Sequence, residues 1–535
     1  MSNFSTNNFY LKKIVIFFLL LLISYYIFFF LSSNVSVIDF DAAVYFTILE
    51  KFITTNHALI PIVLDDNSFI CNKNFDCFFG HPPYFDGELS AQFPPEFTSG
   101  TYLFVLPKFI DNFVSIFFNP SYTLFYFIKI YSLGASLIFF GINFILLSFK
   151  KLSYIDLIRY FLISFLSVHF ILVLTSYSAI GELYSSFFIL PVAISLFFLD
   201  SVIKNKTLYF ILLSFFLGFA LECKLSSLFT VITLLIIICI NFDRRNLFKL
   251  VIILFFFTLP KLLILLYYLI LMNFNFESFF NFIYSYYLNI NYNAGAGINW
   301  ANTTILKQIN YLNTHNEFPN IFYFFIFYLI FSIILFVKSN NNKPIIISLI
   351  ITSTLIYPII FKFPYLRIFS YFVALFPLIL ISFKYINLGK NKLLLIGELF
   401  FFLFFYFYFY NLPIIQSINN RSYEKIDVSY PNITFPNKNN IFITNHFFSF
   451  PWDIYLDNNL NKSGPLFNFP IYSSYSISKT KFNNDFNFFL IYSCRWGHCP
   501  KDNYVEWVIN QNNNKCELIK PKINSIYKIY KCDIK

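Results

Sequence analysis

Residues 12–32 read KKIVIFFLLLLISYYIFFFLS, two lysines followed by an apolar run long enough to cross a lipid bilayer. Comparable apolar runs recur along the chain and together predict about 11 transmembrane helices. The first run is too long for the core of a signal peptide and no small-residue cleavage pattern follows it, so we interpret it as an uncleaved helix. The predicted helices lie at roughly 13–32, 122–149, 157–176, 185–203, 207–222, 226–241, 247–272, 321–338, 344–361, 368–384 and 393–411.

The composition agrees with a chain that is mostly embedded in lipid. Of the 535 residues, 58% are hydrophobic and 12% are charged. Soluble domains carry about 25% charged residues, so the soluble globular and the disordered classes are excluded. The net charge of +11 is distributed over small clusters between the apolar runs, not along one basic stripe, and nucleic acid is therefore not an expected partner. The sequence predicts an all-α polytopic membrane protein in a lipid bilayer.

The positive clusters also predict how the chain is oriented. They fall at every second junction between apolar runs, and such clusters mark cytoplasmic loops. We therefore expect a multi-pass protein of the plasma (inner) membrane, with a cytoplasmic N-terminus and an extracytoplasmic C-terminal domain. The clusters are Lys12 and Lys13, Lys150 and Lys151, Lys204 and Lys206, Arg244, Arg245 and Lys249, Lys338 and Lys343, and Lys384, Lys390 and Lys392.

Three long segments are predicted to lie on the extracytoplasmic side. Residues 33–121 form the first loop, in which we expect interfacial helices, and residues 273–320 form a second large loop. Both belong to a transmembrane domain of residues 1–411. Residues 412–535 contain short alternating apolar runs, which predict a small α/β or β-rich domain. Recognition and chemistry are expected on the face that these segments share.

Cysteine placement is consistent with this orientation. Six cysteines fall in predicted extracytoplasmic segments, where disulfides persist, and the other two fall within or directly after a predicted span. Two of the six, Cys71 and Cys77, are candidates for a local pair, and the four C-terminal cysteines allow three pairings. A zinc site at Cys494, His498 and Cys499 is an alternative that spacing and compartment disfavour. The six disulfide candidates are Cys71, Cys77, Cys494, Cys499, Cys516 and Cys532.

The first loop opens with two carboxylates, Asp39 and Asp41, directly after the first apolar run. Ionisable groups this close to hydrocarbon are costly and are therefore functional candidates. From Asp41 to about Thr54, apolar residues recur at helical spacing, which predicts an amphipathic helix in the membrane interface. Asp41 can serve as the N-cap of that helix or as a catalytic group, and the spacing does not choose between them.

At this point the sequence resembles a known family. Asp41, Tyr45 and Pro61 are similar to the Asp-Glu-x-x-Tyr…Pro opening of lipid-linked-sugar glycosyltransferases of the GT-C fold, which include protein O-mannosyltransferases and aminoarabinose transferases. Further segments resemble the family's motifs in the same order, over roughly residues 10–410. These segments are Phe97 to Thr101 followed by Leu103 to Pro107, Ala179 to Glu182, Leu217 to Leu225, and Tyr365 to Arg367 with Tyr371 and Pro377.

The resemblance implies a glycosyltransferase, a hexosyl or pentosyl transferase that uses a polyprenyl-phosphate-linked sugar as donor. The acceptor would be a cell-surface glycan, lipid or protein. The configuration at the anomeric carbon would invert, and Asp41 would act as the general base. Glu182 would orient the acceptor or share a divalent cation with Asp41, with Asp39 as a further ligand; a solvated turn residue is the alternative. No other cofactor is implied. Lys224 and Arg367 would bind the donor phosphate or extend toward lipid headgroups.

Two departures from the family bear on the mechanism. The family's Glu after the first Asp is Ala42 here, and no Lys or Arg occurs between Lys73 and Lys108, where some branches place a phosphate-binding lysine.

A transporter or lipid flippase is a rival function for this chain, although the internal repeats and mid-membrane ionisable pairs of that class are not evident. A glycan polymerase or ligase is a second rival, and a membrane protein that has lost its catalytic residues is a third.

Overall fold

The computed structural model describes a bundle of helices and a set of short strands. Its helices are α1 Ser2–Ser33, α2 Tyr102–Phe117, α3 Leu124–Ser148, α4 Tyr154–Thr175, α5 Ile180–Phe197, α6 Lys206–Cys223, α7 Leu228–Phe242, α8 Leu247–Leu271 and α9 Phe369–Ala374, with a 3-10 turn at Leu225–Ser227. The described residues are 2–33, 49, 53, 63–64, 68–69, 102–120, 124–175, 180–198, 203, 205–242, 247–271, 274–277, 279–280, 369–375, 377–378, 400, 403, 407, 440–444, 471–473, 487–493, 515–519 and 527–533.

Among the residues that the structure describes, six helical segments are long and apolar enough to cross a membrane, so the chain is a multi-pass helical membrane protein. Each corresponds to one of the spans predicted from hydropathy. These segments are Ile14–Ser32, Tyr126–Ser148, Tyr154–Thr175, Lys206–Cys223, Leu225–Phe242 and Phe248–Tyr267. Of the spans predicted after residue 272, only 369–375, 377–378, 400, 403 and 407 are among the described residues.

Helix α5 forms the centre of the bundle. Every residue from Gly181 to Phe198 is buried, and α3, α4, α6 and α9 all pack against this helix. A helix that is apolar on all sides and enclosed by others is stabilised by packing on every face. Helix α8 is the opposite case, because large apolar side chains such as Val251, Phe255 and Leu262 are exposed on its surface. This surface suits contact with lipid.

The observed α5 begins earlier than hydropathy predicts. The expected span was 185–203, with Ala179 to Glu182 in an external turn, whereas the helix runs from Ile180 to Phe197. Hydropathy does not place Gly181 and Glu182 in an apolar span, because Gly181 adds no hydrophobicity and Glu182 is charged. Both are nevertheless buried in the first helical turn.

Helix α2 lies within the predicted first loop and was not among the predicted spans. It buries Leu103, Phe104 and Ile110 on one side and exposes Phe109 and Phe113 on the other. Its length of 16 residues is too short for an ordinary span, and Pro107, Lys108 and Asp111 interrupt its apolar pattern. Of the amphipathic segment expected from Asp41 to Thr54, Leu49 and Ile53 are described, and both are helical and buried.

Local sequence explains two of the helix starts. Asn205 caps α6, since its side-chain oxygen accepts a hydrogen bond from the Leu208 amide at 3.1 Å. At α4, the Asp156 amide donates to Ser153 Oγ at 3.1 Å and the Ser153 amide donates to Asp156 Oδ2 at 3.2 Å. This is the reciprocal capping arrangement in which two otherwise unsatisfied amides are paired.

The bundle end at Lys150 is closed by a buried lysine. Lys150 follows α3 and is 5% exposed; its ammonium group donates to the carbonyl of Ser195 in α5. Tyr209 of α6 donates to the same carbonyl at 3.0 Å, and the Lys150 Nζ lies 5.1 Å from the Tyr209 ring centroid. Lys150 thereby connects the ends of α3, α5 and α6. We call these three residues the Lys150 cluster.

The strands of the C-terminal region form one mixed sheet in the order β4-β3-β5-β7-β6. Strand β3 pairs in parallel with β4 and β5, whereas β7 pairs antiparallel with β5 and β6. The remaining residues of 412–535 lie outside the described residues, so the domain boundary stays a prediction. The strands are β3 Asn440–Thr444, β4 Ile471–Ser473, β5 Asn487–Ser493, β6 Lys515–Ile519 and β7 Tyr527–Asp533, with a separate hairpin of β1 Val63–Leu64 and β2 Ser68–Phe69.

Candidate functional site

A carboxylate and a lysine meet where α5 begins and α6 ends. Glu182 lies in the first turn of α5 and is 2% exposed, and its Oε1 is 3.6 Å from the Nζ of Lys224, whose side chain is 21% exposed. The partial positive charge of the α5 N-terminus favours a carboxylate in this first turn. The arrangement pairs the buried carboxylate of Glu182 with the side chain of Lys224, which is accessible from outside the bundle.

The backbone around Lys224 explains how its side chain reaches α5. Lys224 is extended, with φ of −158° and ψ of 119°, between the last turn of α6 and the 3-10 turn. Gly181 lies directly beneath its side chain: a Cβ atom at Gly181 would be 2.9 Å from the Lys224 Cδ and 3.1 Å from the carbonyl oxygen of Cys223. The absence of a side chain at Gly181 therefore allows the Lys224 stem to cross the start of α5.

Hydroxyl contacts hold α9 against this pair. The hydroxyls of Ser226 and Tyr371 are 2.8 Å apart and connect the 3-10 turn to α9. Ser186 of α5 donates to Ser370 of α9 at 3.0 Å. Because α9 begins two residues after Arg367, the helix following this predicted phosphate ligand lies beside the elements that carry Glu182 and Lys224.

A second pair of ionisable residues connects α6 to α8. Lys261 Nζ donates to Glu222 Oε2 at 3.1 Å, and the two side chains are 34% and 10% exposed. The two helices approach closely at Gly218, where a Cβ atom would collide with the carbonyl of Phe257 and lie 2.9 Å from the Pro260 ring. The missing side chain at Gly218 therefore permits the close packing that holds the pair together.

The hydroxyl of Tyr102 in α2 is hydrogen bonded to the residue that precedes Lys261. Its Oη donates to the carbonyl of Pro260 at 2.8 Å, and its ring packs edge-on against Phe219 with centroids 4.4 Å apart. Burial and, after it, the negative charge of Glu222 raise the pKa of the Tyr102 phenol well above its ordinary value. The hydroxyl therefore stays protonated and acts as a donor at neutral pH.

The predicted site residues fall into two groups. Glu182 and Lys224 are brought together, and the solvated-turn alternative for Glu182 is wrong because this residue is buried. Asp39, Asp41 and Arg367 lie outside the described residues. So do four of the cysteines, Cys71, Cys77, Cys494 and Cys499.

Metal ligation receives no support from the part of the chain that the structure describes. Within it there is no group of three or more His, Cys, Asp or Glu side chains placed to hold a metal ion. Cys223 and Cys239 are free thiols in α6 and α7. A divalent cation shared by Glu182, Asp39 and Asp41 stays a prediction.

Sequence reasoning missed the pair of Glu222 and Lys261. Glu222 falls within the segment Leu217 to Leu225 but has no role of its own in the resemblance, and Lys261 follows Pro260 within the span predicted at 247–272. The available signal was that both are ionisable residues within predicted spans, where such groups are rare and need partners.

The site can accept a hydrogen bond from a hydroxyl and supply cationic donors to an anion. A carboxylate such as Glu182 accepts hydrogen bonds, and an ammonium group offers three donors. The Lys224 side chain is 21% exposed, whereas Glu182 is 2% exposed, so a ligand from outside the bundle would meet the lysine first. Comparison of the chain with protein-family models, with curated proteins and with solved structures found no match.

Proposed function

We propose that this chain is a membrane glycosyltransferase that moves a sugar from a polyprenyl-phosphate donor to a cell-surface glycan, lipid or protein. The observation that carries the proposal is the contact between Glu182 and Lys224 at 3.6 Å. These residues belong to two separate segments, Ala179 to Glu182 and Leu217 to Leu225, which were selected because they resemble motifs of GT-C glycosyltransferases. Their meeting at one end of the bundle supports a shared site.

Two more of the resembling segments border the same region. Tyr371, in the segment that begins at Tyr365, is hydrogen bonded to Ser226, two residues after Lys224. Tyr102, which follows the segment ending at Thr101, donates to the Pro260 carbonyl beside the pair of Glu222 and Lys261. Segments far apart in sequence thus supply polar groups at the same bundle end, as a binding site requires.

The proposed reaction is one displacement at the anomeric carbon. Asp41 takes the proton from the acceptor hydroxyl, whose oxygen forms the new bond to the anomeric carbon as the bond to the phosphate oxygen breaks. The polyprenyl phosphate leaves with the bonding electrons, and the configuration inverts. Lys224 and Arg367 stabilise the departing phosphate, and Glu182 holds Lys224 and orients the acceptor.

The remaining features follow from the same proposal. The catalytic face is extracytoplasmic, in the plasma (inner) membrane, and the transmembrane domain has about 11 spans. Residues 412–535 form a small domain on that face, which the mixed sheet of β3 to β7 supports. A lipid-linked donor suits a site near the membrane surface and needs no nucleotide-binding loop.

A transporter or lipid flippase is the second candidate, and the pair of Glu222 and Lys261 favours it. Paired ionisable residues within spans are typical of substrate and proton pathways. Glu222, however, is the second-last residue of α6, near the helix end and not in its middle. We therefore place this pair beside the proposed site and rank transport below transfer.

The direct test uses membranes containing the full chain and a panel of radiolabelled polyprenyl-phosphate hexoses and pentoses. The wild type should transfer label to an acceptor fraction, whereas Asp41→Asn should lower the rate by about 100-fold or more. Asp156→Asn is the control, because the Asp156 carboxylate accepts a hydrogen bond from the Ser153 amide at the start of α4, at the other end of the bundle. Undiminished transfer by Asp41→Asn would exclude Asp41 as the base. Label that crosses the membrane without joining an acceptor would favour the transporter.

The role of Arg367 is tested separately, by comparing how its substitution changes the KM for each of the two substrates. Arg367→Gln should raise the KM for the lipid-linked donor more than the KM for the acceptor, because the guanidinium is assigned to the donor phosphate. Equal changes in the two KM values would count against that assignment.

A further inference from the structure

Two cysteines face each other across a strand pair of the C-terminal sheet. Strands β6 and β7 are antiparallel, and their register places Cys516 directly opposite Cys532. Opposed residues in an antiparallel pair have Cα atoms about 4.5–5.5 Å apart. This separation falls within the range of about 4.4–6.8 Å that a disulfide spans. The two cysteines can therefore be joined without a change in strand pairing.

The residues on either side of the cysteines support this register. Lys515 pairs with Asp533 before the cysteine pair, and Glu517 pairs with Lys531 after it. Both are pairs of opposite charge, which stabilise an antiparallel ladder when the residues are directly opposed. A shift by one residue would separate both charge pairs and place the two cysteines on different faces.

Alternation along the strands places the cysteine pair and the two charge pairs on different faces of the sheet. Cys516 shares a face with Leu518, and Cys532 shares it with Tyr530. The register between β5 and β7 puts Phe488 opposite Cys532 on this face. The charge pairs of β6 and β7 fall on the other face.

We propose that Cys516 and Cys532 form a disulfide that ties the edge strand β6 to β7. This disulfide belongs to one of the three pairings open to the four C-terminal cysteines, and in that pairing Cys494 is bonded to Cys499. The inference depends on the strand register and not on the proposed glycosyl transfer.

Formation of this bond requires an oxidant. The two thiols lose two protons and two electrons to the disulfide of a thiol–disulfide oxidoreductase, which is reduced to a dithiol as the bond between the two sulfur atoms forms. Such exchange is maintained in oxidising compartments, so the bond also places β6 and β7 on the extracytoplasmic side of the membrane.

The experiment is peptide mapping of the full-length protein. Free thiols are blocked with N-ethylmaleimide in intact cells, the protein is denatured with the reagent still present, and the purified chain is digested with trypsin without reduction. Cleavage after lysine and arginine places each C-terminal cysteine on a separate peptide, so all three pairings have different masses. The peptides are 482–495, 496–501, 516–522 and 532–535.

The expected result is a linked species of 516–522 with 532–535, which reduction converts into its two components. Cys516→Ser should change Cys532 from almost unlabelled to almost fully labelled by N-ethylmaleimide, while Cys494 labelling stays as in the wild type. Cys494→Ser is the matched control and should leave Cys532 unlabelled. Linkage of Cys516 to Cys494 or Cys499, or labelling of Cys516 and Cys532 in the wild-type protein, would overturn the proposal.

Discussion

Both ends of the helical bundle carry lysines, but the lysines make different contacts at the two ends. In the Lys150 cluster the lysine is 5% exposed, and its ammonium group donates to a backbone carbonyl. At the opposite end, Lys224 and Lys261 are 21% and 34% exposed and pair with carboxylates. A buried ammonium group satisfied by a carbonyl stabilises the fold, whereas an accessible one beside an acid can also bind a ligand. Changes at the two ends should therefore affect different properties.

The largest expected effect on stability is at the Lys150 cluster. Lys150→Met keeps an unbranched apolar stem but removes the charged donor to the Ser195 carbonyl, and a hydrogen bond from a charged group contributes about 1.5–3 kcal/mol. We expect a loss of about 2–3 kcal/mol in the free energy of unfolding, measured by denaturation of the full chain in detergent. The control is Lys151→Met, since Lys151 is exposed. Equal stability of the two variants would remove the distinction between the bundle ends.

Gly218→Ala should have the next largest effect, because the new methyl group would collide with the Phe257 carbonyl where α6 meets α8. Overpacking of this kind costs about 1–3 kcal/mol. Gly141→Ala is the matched control, since a Cβ atom at Gly141 meets nothing within 4 Å. Comparison of the thermal unfolding midpoints of the two variants provides the measurement. A lower midpoint for the Gly141 variant than for the Gly218 variant would contradict the helix packing described.

Lys224→Gln should alter donor binding more than stability. Replacing the ammonium group by a neutral amide removes a charged donor to phosphate, and we expect the KM for the lipid-linked donor to rise about tenfold. Initial rates at varied donor concentration measure this change. An unchanged KM would exclude Lys224 from the donor site. Lys150→Met provides the comparison, because it should leave the KM unaltered.

The smallest expected effect is the coupling between Glu222 and Lys261. Both side chains are partly exposed, so the interaction should contribute about 1 kcal/mol. The double-mutant cycle of Glu222→Gln and Lys261→Met, followed by unfolding in detergent, yields this coupling energy. Strict additivity of the two single changes would mean that the pair contributes nothing to stability.

Hydropathy was sufficient to predict most of the helices that the structure describes. The expected spans at 207–222 and 247–272 agree closely with Lys206–Cys223 and Leu247–Leu271. Apolar length alone determines such spans, because lipid requires long uninterrupted helices. Helix α2 was missed because its Pro107 and its charged residues break the apolar run, and its stability depends on packing against α3.

The site was predictable only in part, because partners distant in sequence depend on how each helix is rotated and packed. Glu182 and Lys224 were selected from motif resemblance, but their contact depends on the absence of a side chain at Gly181. The pairing of Glu222 with Lys261 depends on the close approach of α6 and α8 at Gly218. Neither approach distance follows from composition or periodicity.

The most direct test compares sugar transfer per folded molecule in Glu182→Gln and Lys150→Met. Glutamine has nearly the shape of glutamate, so the bundle should remain folded while the charge at the proposed site is lost. We predict that Glu182→Gln lowers transfer from the radiolabelled lipid-linked sugar by about 100-fold, because Lys224 and the acceptor lose the group that orients them, and that Lys150→Met lowers stability but retains wild-type transfer per folded molecule. Wild-type transfer by Glu182→Gln would contradict the proposed site.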